Sequence, residues 1–275
     1  MTLMLRVKAC GLSDVGLTRV HNEDYFEIDP EHKLYVVADG MGGHSHGEVA
    51  AQIAVNSIRD FIAKTADRDT TWPFGMDSGL AHHSNLLKMA VRMAHDHVLR
   101  AISRDGSLYG MGTTVVGLLL AGSTAAVAHV GDSRAYRLRE GRLEQLTQDH
   151  TWVNEQVVAG FLSKEQARSH PLKNVVTRAL GGESDVLVDV REVEIQPGDY
   201  YLLCSDGLTG MLSDTDIRDR LASGRSLHEI CRTLINDSNS RGGIDNVTVV
   251  LLSVEEEPAD PVDVDETAVD GEITR

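Results

Sequence analysis

The chain has 275 residues, of which 41% are hydrophobic and 25% are charged, proportions that exclude a wholly disordered chain and suffice for a full core. Aspartate and glutamate total 42 against 26 lysines and arginines, so the formal net charge is −16. That charge argues against a nucleic-acid-binding protein, which presents a basic face, and the 4% of aromatic residues argues against a base-stacking platform.

In the first part of the chain, a buried strand is predicted at residues 33–39, a short apolar run rich in β-branched residues. Two amphipathic helices follow at residues 47–63 and 85–103, each with its apolar residues on one stripe. The segment between them, residues 65–83, shows no regular period. We expect it to be a long loop.

Two hairpins are predicted in the middle of the chain. The first joins residues 112–121 to residues 124–132, and the second lies within residues 134–146. Their turns are expected at Gly122-Ser123 and near Glu140-Gly141.

The last part of the body is predicted to add three strands and two helices. The strands lie at residues 186–195, 199–206 and 246–254. The helices lie at residues 213–221 and 226–237, with Ser213 and Ser226 as N-caps. Because consecutive strands have short links, we expect antiparallel pairing and a layered α+β domain.

The end of the chain, residues 255–275, differs in composition from the body. It holds nine acidic residues and one basic residue, and it lacks apolar periodicity. We expect a disordered acidic tail that serves as a solubilising appendage, with a regulatory or docking role as the alternative.

Carboxylates stand at the ends of several predicted strands. They are Asp39, Asp132, Asp206 and Asp245. Any one of them alone is most simply an ordinary turn cap. Four carboxylates that met at one rim would repel each other, and a divalent cation with oxygen ligands would relieve that repulsion. Glycines follow at Gly40 and Gly207, where the backbone can approach a ligand closely.

Motifs of other enzyme classes are absent from the sequence. There is no GxxxxGK[ST] phosphate loop, no complete dinucleotide fingerprint, no EF-hand loop and no GxSxG elbow. The cysteines, Cys10, Cys204 and Cys231, offer no zinc pair, and their odd number and wide spacing favour a reducing cytosol over a disulfide framework.

Six short motifs together resemble one enzyme family. They are RVHNED (19–24), VVADGMGGH (36–44), GMGTT (110–114), HVGDSRAY (129–136), SDGL (205–208) and DNVTVV (245–250). In this order they resemble the PP2C (PPM) family of metal-dependent protein serine/threonine phosphatases, in its bacterial branch. The resemblance covers residues 5–254. It implies a four-layer α-β-β-α sandwich of two antiparallel sheets flanked by helix pairs, with a mobile flap at about residues 148–181 that influences substrate access.

The resemblance also implies a ligand set for Mn²⁺ or Mg²⁺, with two ions in the site. Asp39 matches the carboxylate that bridges the ions, and Gly40 would offer its carbonyl oxygen to one of them. Asp206 and Asp245 would ligate the other ion. Glu23 matches an acidic residue that contacts a metal through water.

Three further positions match the family pattern. Asp132 resembles a ligand of a third ion found in bacterial members, with Asp206 shared. Asp24 would support its neighbour Glu23. Arg19 matches the arginine that grips the substrate phosphate, as a bidentate guanidinium can. Outside this context Arg19 would be interpreted as an ordinary surface residue.

Several groups could act as the general acid that protonates the leaving alcohol. His44, after the GMGG loop, is the best histidine match, and His46 is a nearby competitor. The position directly after the DG pair, where some eukaryotic members have histidine, is Met41 here. A metal-bound water is the remaining alternative.

The resemblance implies an enzyme that hydrolyses phosphoserine and phosphothreonine on proteins by attack of a metal-bridging hydroxide. The expected partners are phosphorylated proteins, including a Hanks-type serine/threonine kinase, with no nucleic acid and no membrane. No apolar run approaches the roughly 18 residues of a membrane span, and the first ten residues lack a signal peptide's apolar core, so we expect a cytoplasmic protein. We also expect it to be a monomer. The alternatives are a catalytically silent phosphoprotein-binding pseudophosphatase and a stress-signalling phosphatase that acts on an anti-sigma antagonist.

Overall fold

A computed structural model of the chain describes residues 5–42, 46–65 and 75–256. Within these ranges the strands are β1 (Leu5–Asp14), β2 (Asp24–Asp29), β3 (Leu34–Met41), β4 (Gly112–Thr113), β5 (Val115–Ala121), β6 (Thr124–Val130), β7 (Arg134–Arg139), β8 (Arg142–Gln145), β9 (Asp189–Glu194), β10 (Tyr200–Cys204) and β11 (Val247–Glu256). The helices are α1 (Gly47–Thr65), α2 (His82–Arg104), α3 (Trp152–Val158), α4 (Lys164–Arg168), α5 (Asp206–Thr209), α6 (Asp214–Leu221) and α7 (Leu227–Ser240), and a single 3₁₀ turn spans Gly106–Leu108.

The strands form two sheets. One has the order β1-β11-β10-β7-β8, and the other has the order β2-β3-β5-β6-β9, with β4 paired to β3. Each of these strand pairs is antiparallel. The predicted antiparallel pairing is confirmed, and so are both hairpins, whose turns place Gly122, Glu140 and Gly141 at positive φ.

Three apolar layers hold the sheets and helices together. Alternate residues of β3 point to opposite sides: Leu34, Val36 and Ala38 pack against α1 and α2, whereas Tyr35 and Val37 pack between the sheets. The third layer lies between the other sheet and helices α6 and α7. Because strands in the middle of such a stack are buried on both faces, they appear in the sequence as continuous apolar runs. The predicted α-β-β-α sandwich is confirmed.

Serine caps define the starts of the last two long helices. Ser213 begins α6 and Ser226 begins α7, and each accepts a hydrogen bond from the N3 backbone amide while the N3 carboxylate bonds back. Both predicted N-caps are therefore confirmed. Helix α2 starts at His82, three residues before its predicted start, so the described part of the predicted 65–83 loop shortens to residues 75–81.

Several predicted boundaries move. The predicted strand at residues 112–121 is divided at Thr114, whose backbone amide donates to the Asp39 carbonyl oxygen at 2.8 Å. Strands β1 and β2 were not predicted, because their faces are only partly buried and their apolar pattern is weak. Strand β11 extends to Glu256, two residues into the segment assigned to the tail, and the remaining tail lies outside the described residues.

The segment at residues 148–181, predicted to be a flap, contains α3 and α4. Isolated bridges join Thr151 to Val176 and Thr113 to Leu180. Its mobility stays a prediction. None of the helices in the described ranges combines the length and the apolar character that a bilayer span requires.

Candidate metal and phosphate site

Five aspartates converge at one end of the two sheets. Asp24 begins β2 and lies opposite Asp39 in the register with β3, while Asp206 begins α5 directly after β10. Asp132 follows β6, and Asp245 precedes β11. Burial raises the pKa of Asp39 well above its ordinary value, and the neighbouring charges of the other four aspartates raise it further. The predicted gathering of strand-end carboxylates is therefore present in the fold.

The pKa values of Asp24, Asp132 and Asp206 are shifted in the same direction. Burial, and then the charge of Asp206, raises the pKa of Asp132 to about 7. Burial also raises the pKa of Asp24 to about 7, although Ser205 and Thr248 oppose the shift by hydrogen bonding. For Asp206, burial and the charge of Asp245 raise the pKa, and a hydrogen bond with the Asp39 carboxyl group lowers it. The cluster therefore holds more negative charge than this protein environment neutralises.

Gly40 and Glu23 lie at the same end of the sheet, where their backbones approach each other closely. The Gly40 amide donates to the Glu23 carbonyl oxygen at 3.1 Å. A side chain at Gly40 would overlap the carbonyl oxygen of Gly47, the first residue of α1, and one at Gly47 would lie 2.9 Å from the Glu23 carboxyl carbon. Burial, and then the charge of Glu48, raises the pKa of Glu23. Glycine at both positions lets α1 start against the carboxylates.

Arg19 is the cation at the edge of the cluster. Its Nη2 atom donates to Asp245 Oδ2 at 2.8 Å, and its side chain is half exposed. The hydrogen bond with Asp245 raises the pKa of Arg19, and the charges of Glu23 and Asp39 add to this effect. Backbone bonds from Leu17 and Thr18 to the Gly243 carbonyl oxygen fix the loop that carries it. An exposed guanidinium beside partly buried carboxylates can bind a phosphoryl group from the solvent side.

Comparisons with known proteins decide the family. The protein phosphatase 2C family model matches residues 18–244. The chain belongs to the protein phosphatase 2C family. It is accordingly a metal-dependent protein phosphatase, which confirms the predicted enzyme class.

Individual relatives agree along most of their length. The serine/threonine phosphatase stp of Listeria monocytogenes is 40% identical over 248 residues, which cover 87% of this chain and 93% of that protein. The crystal structure of the Mycobacterium tuberculosis phosphatase PstP/Ppp superposes with a TM-score of 0.80 at 36% identity, covering 91% of this chain and 99% of the other. The PstP catalytic domain in complex with two manganese ions gives a TM-score of 0.78 at 36% identity, covering 92% and 100%.

Polar residues that the sequence analysis did not single out support the aspartate cluster. Asn246 accepts from the Glu23 amide at 2.8 Å and donates to the carbonyl oxygens of Val15 and His21, which ties the loop between β1 and β2 to the loop before β11. Ser205 donates to Asp24 Oδ2 at 2.7 Å. Asn246 and Ser205 stand directly beside predicted ligands in the DNVTVV and SDGL motifs, and that adjacency is the signal that could have identified them.

The threonines of the GMGTT motif also hold the loops that carry the aspartate cluster. The hydroxyl of Thr113 donates to the Asp39 carbonyl oxygen at 2.9 Å, and Asp39 donates its amide to the hydroxyl of Thr114 at 3.2 Å. Thr114 in turn bonds Ser133, the residue after Asp132, at 2.7 Å. These bonds fix the end of β3 against the loop that carries Asp132.

The histidine predicted as general acid lies outside the described residues. His44 belongs to residues 43–45, which the structure does not describe. His46 precedes α1, and its carbonyl oxygen accepts from the Ala50 amide at 3.3 Å. The choice between them stays a prediction.

A second polar cluster lies at the base of residues 148–181, where His150 Nδ1 accepts a hydrogen bond from the amide of Gly131, the residue before Asp132, at 3.0 Å. Ligand atoms of His129, His150 and Asp189 lie within 4.8 Å of one another. Arg178 Nη1 lies 2.7 Å from Asp189 Oδ1 and 3.1 Å from His150 Nε2. Because this guanidinium would repel a cation, the cluster acts as a polar anchor between the segment and strands β6 and β9.

Proposed function

We propose that this phosphatase hydrolyses phosphoserine and phosphothreonine in proteins, with the aspartate cluster as its site for two divalent cations and Arg19 as its phosphate ligand. The observation that carries the proposal is the convergence of Asp39, Asp206 and Asp245 beside a half-exposed Arg19. Relatives named as serine/threonine phosphatases support the substrate class.

The chemistry of the donor set fits a hard cation. The carboxyl groups of Asp24, Asp39 and Asp132 have pKa values raised by burial and mutual repulsion. In addition, the buried Oδ1 atom of Asp24 has no hydrogen-bond partner among the residues that the structure describes. Carboxylate and carbonyl oxygens are the ligands that Mn²⁺ and Mg²⁺ prefer. An orphaned oxygen within a repelling acidic cluster is what a cation site presents before a cation neutralises it.

Within this proposal each residue has a defined task. Asp39 would bridge the two ions, the Gly40 carbonyl oxygen would ligate one, and Asp206 and Asp245 would ligate the other. Glu23 would bind through water. Asp132 would share an additional ion with Asp206. When bound, the ions would lower the pKa of water and neutralise phosphoryl charge.

The chain's own residues would orient the substrate. Arg19 would donate two of its guanidinium N–H groups to phosphoryl oxygens, and the hydrogen bond from its Nη2 atom to Asp245 would hold the guanidinium in place. Asn246 would keep the loop before Glu23 against β11. His44, or His46 as its competitor, would donate the proton that the leaving serine oxygen requires.

The wider biological role is proposed on the same basis. The bacterial relatives named as protein phosphatases support a cytoplasmic enzyme that opposes a Hanks-type kinase. We propose that it acts as a monomer. Light scattering during size-exclusion chromatography would test this, and a dimeric mass would contradict it.

The direct test measures phosphate release from a phosphoserine peptide in Mn²⁺, in Mg²⁺ and in EDTA. We expect turnover with the metals, no turnover in EDTA, and loss of turnover in Asp206→Asn. The matched control is Asp219→Asn, which changes an exposed carboxylate paired with Arg218 on α6. Turnover that survives EDTA, or a fully active Asp206→Asn variant, would contradict the proposed metal assignment. Binding of the phosphopeptide without turnover would favour a pseudophosphatase.

A further inference from the structure

Three apolar side chains border the Arg19–Asp245 pair and face solvent. Leu17 is 69% exposed, Val20 is 84% exposed and Ile244 is 50% exposed. Leu17 and Val20 lie within two residues of Arg19, and Ile244 directly precedes Asp245. We call these three residues the apolar rim. Single exposed apolar residues are common, but three of them flanking one ion pair indicate a contact surface.

The two loops that carry the rim are held against each other. The Leu17 amide donates to the Gly243 carbonyl oxygen at 2.7 Å, and Gly243 adopts φ 52°. A side chain at Gly243 would lie 2.8 Å from Leu17 Cγ. The ion pair between Arg19 and Asp245 joins the same two loops, two residues farther along each of them. The rim is therefore anchored to the residue that would grip the phosphate.

We propose that the apolar rim binds an apolar side chain next to the phosphorylated residue of the substrate, and so makes Leu17, Val20 and Ile244 determinants of substrate specificity. This inference rests on the proposed function. Because a phosphoserine side chain is short, a phosphate held by Arg19 brings the adjacent substrate residues, about 3.3–3.6 Å apart along an extended chain, over the loops beside it.

The position of the rim beside the phosphate ligand and the net charge of the protein indicate which kind of substrate residue the rim binds. A protein with a net charge of −16 repels acidic peptides. The three rim side chains have no polar group that could form a hydrogen bond with a polar residue beside the phosphoserine. Against a leucine or valine they would instead bury apolar surface that is otherwise exposed to water. The favoured substrate is therefore a phosphopeptide with leucine or valine beside the phosphoserine.

The test compares two peptides that differ only at the residues flanking phosphoserine, leucine in one and glutamine in the other. The enzymes are the full-length protein with Mn²⁺, the Leu17→Ser, Val20→Ser and Ile244→Ser variants, and their triple combination. The matched control is Met76→Ser, because Met76 is 52% exposed near the start of α2, at the opposite end of that helix from the site. Thermal melts establish that each variant is folded.

We expect the wild type to prefer the leucine peptide. In the triple variant this preference should fall by about tenfold in kcat/KM, equivalent to about 1.4 kcal/mol, mainly through KM because ground-state binding is lost. Hydrolysis of p-nitrophenyl phosphate, which has no flanking residues, should change by less than about twofold. The Met76→Ser variant should keep the preference.

An unchanged preference in the folded triple variant would overturn the inference. So would a wild type that hydrolyses both peptides equally, and so would a preference that is lost instead in Phe161→Ser, at a side chain 77% exposed beyond α3. A wild type that hydrolyses neither the peptides nor p-nitrophenyl phosphate would contradict the proposed function itself.

Discussion

Asp39, near the end of β3 in one sheet, lies close enough to Asp206, at the start of α5 beyond the other sheet, for the charge of Asp206 to raise the pKa of the Asp39 carboxyl group. Two neighbouring carboxylates in such a site repel each other, and a proton on one of them relieves the repulsion. Without a cation, the cluster is therefore stabilised by protons. With a cation, the same oxygens become free to act as ligands.

Replacement of one of these carboxylates should have opposite effects on stability with and without metal. In EDTA at pH 8, Asp39→Asn should raise the free energy of unfolding by about 1–2 kcal/mol, because a neutral isostere removes repulsion among buried charges. With Mn²⁺ the wild type should gain more stability than the variant, since a ligand of the folded state stabilises it by mass action. Thermal melts in both conditions measure this. A variant that is less stable than the wild type in EDTA would contradict the electrostatic account.

Substitution of the phosphate ligand should affect every substrate. In Arg19→Lys, kcat/KM for p-nitrophenyl phosphate and for phosphopeptides should fall by about tenfold to a hundredfold, because a lysine lacks the planar bidentate fork. Arg218→Lys, at an exposed arginine paired with the adjacent Asp219, is the control and should keep its rate. Steady-state kinetics with the metal-loaded enzyme measure this effect, and equal rates for the two variants would argue against Arg19 as the phosphate ligand.

His150, in the polar cluster that anchors residues 148–181, should make the stability of the fold depend on pH. Burial, followed by the charges of His129 and Arg178, lowers the pKa of His150 to about 4 from its ordinary 6.5. Between these values the unfolded chain binds more protons than the folded chain, so the free energy of unfolding falls as the pH falls from 6.5 toward 4. At pH 5 this histidine should cost about 2 kcal/mol relative to pH 7.5.

Guanidinium unfolding at pH 7.5 and pH 5.0 tests that expectation. In His150→Gln the loss of stability between the two pH values should be smaller by about 2 kcal/mol. His228→Gln, at an exposed histidine of α7, should behave like the wild type. Parallel pH dependences for the wild type and His150→Gln would show that protonation of this histidine does not destabilise the fold.

The parts of the fold that the sequence predicts are those with a local signal. The interior strands β3, β10 and β11 are buried on both faces and stand out as apolar runs, and Ser213 and Ser226 mark helix starts by their capping boxes. β1 lies at the edge of its sheet with partly exposed faces, so its pattern is weak. Its pairing with β11, which places Leu5 opposite Glu256, joins the two ends of the described chain and has no local signature.

The residues of the candidate site also fall into two groups, those that a local sequence signal predicts and those that it does not. Carboxylates at strand ends, such as Asp39 and Asp206, can be identified from the sequence because each follows an apolar run. Asn246 could not be assigned its three bonds without the positions of the loops that it joins. The cluster of His129, His150 and Asp189 was not predicted, because its members come from separate strands and a loop and have no metal-ligand spacing.

Binding of Mn²⁺ at equilibrium tests the central claim most directly. Metal-free wild type and Asp206→Asn would be dialysed against Mn²⁺, the bound metal counted per chain, and circular dichroism used to establish that both are folded. We predict two ions per wild-type chain, as in the structure of the PstP catalytic domain, and loss of at least one ion in Asp206→Asn. Equal binding by the two proteins would contradict the assignment of the aspartate cluster as the metal site.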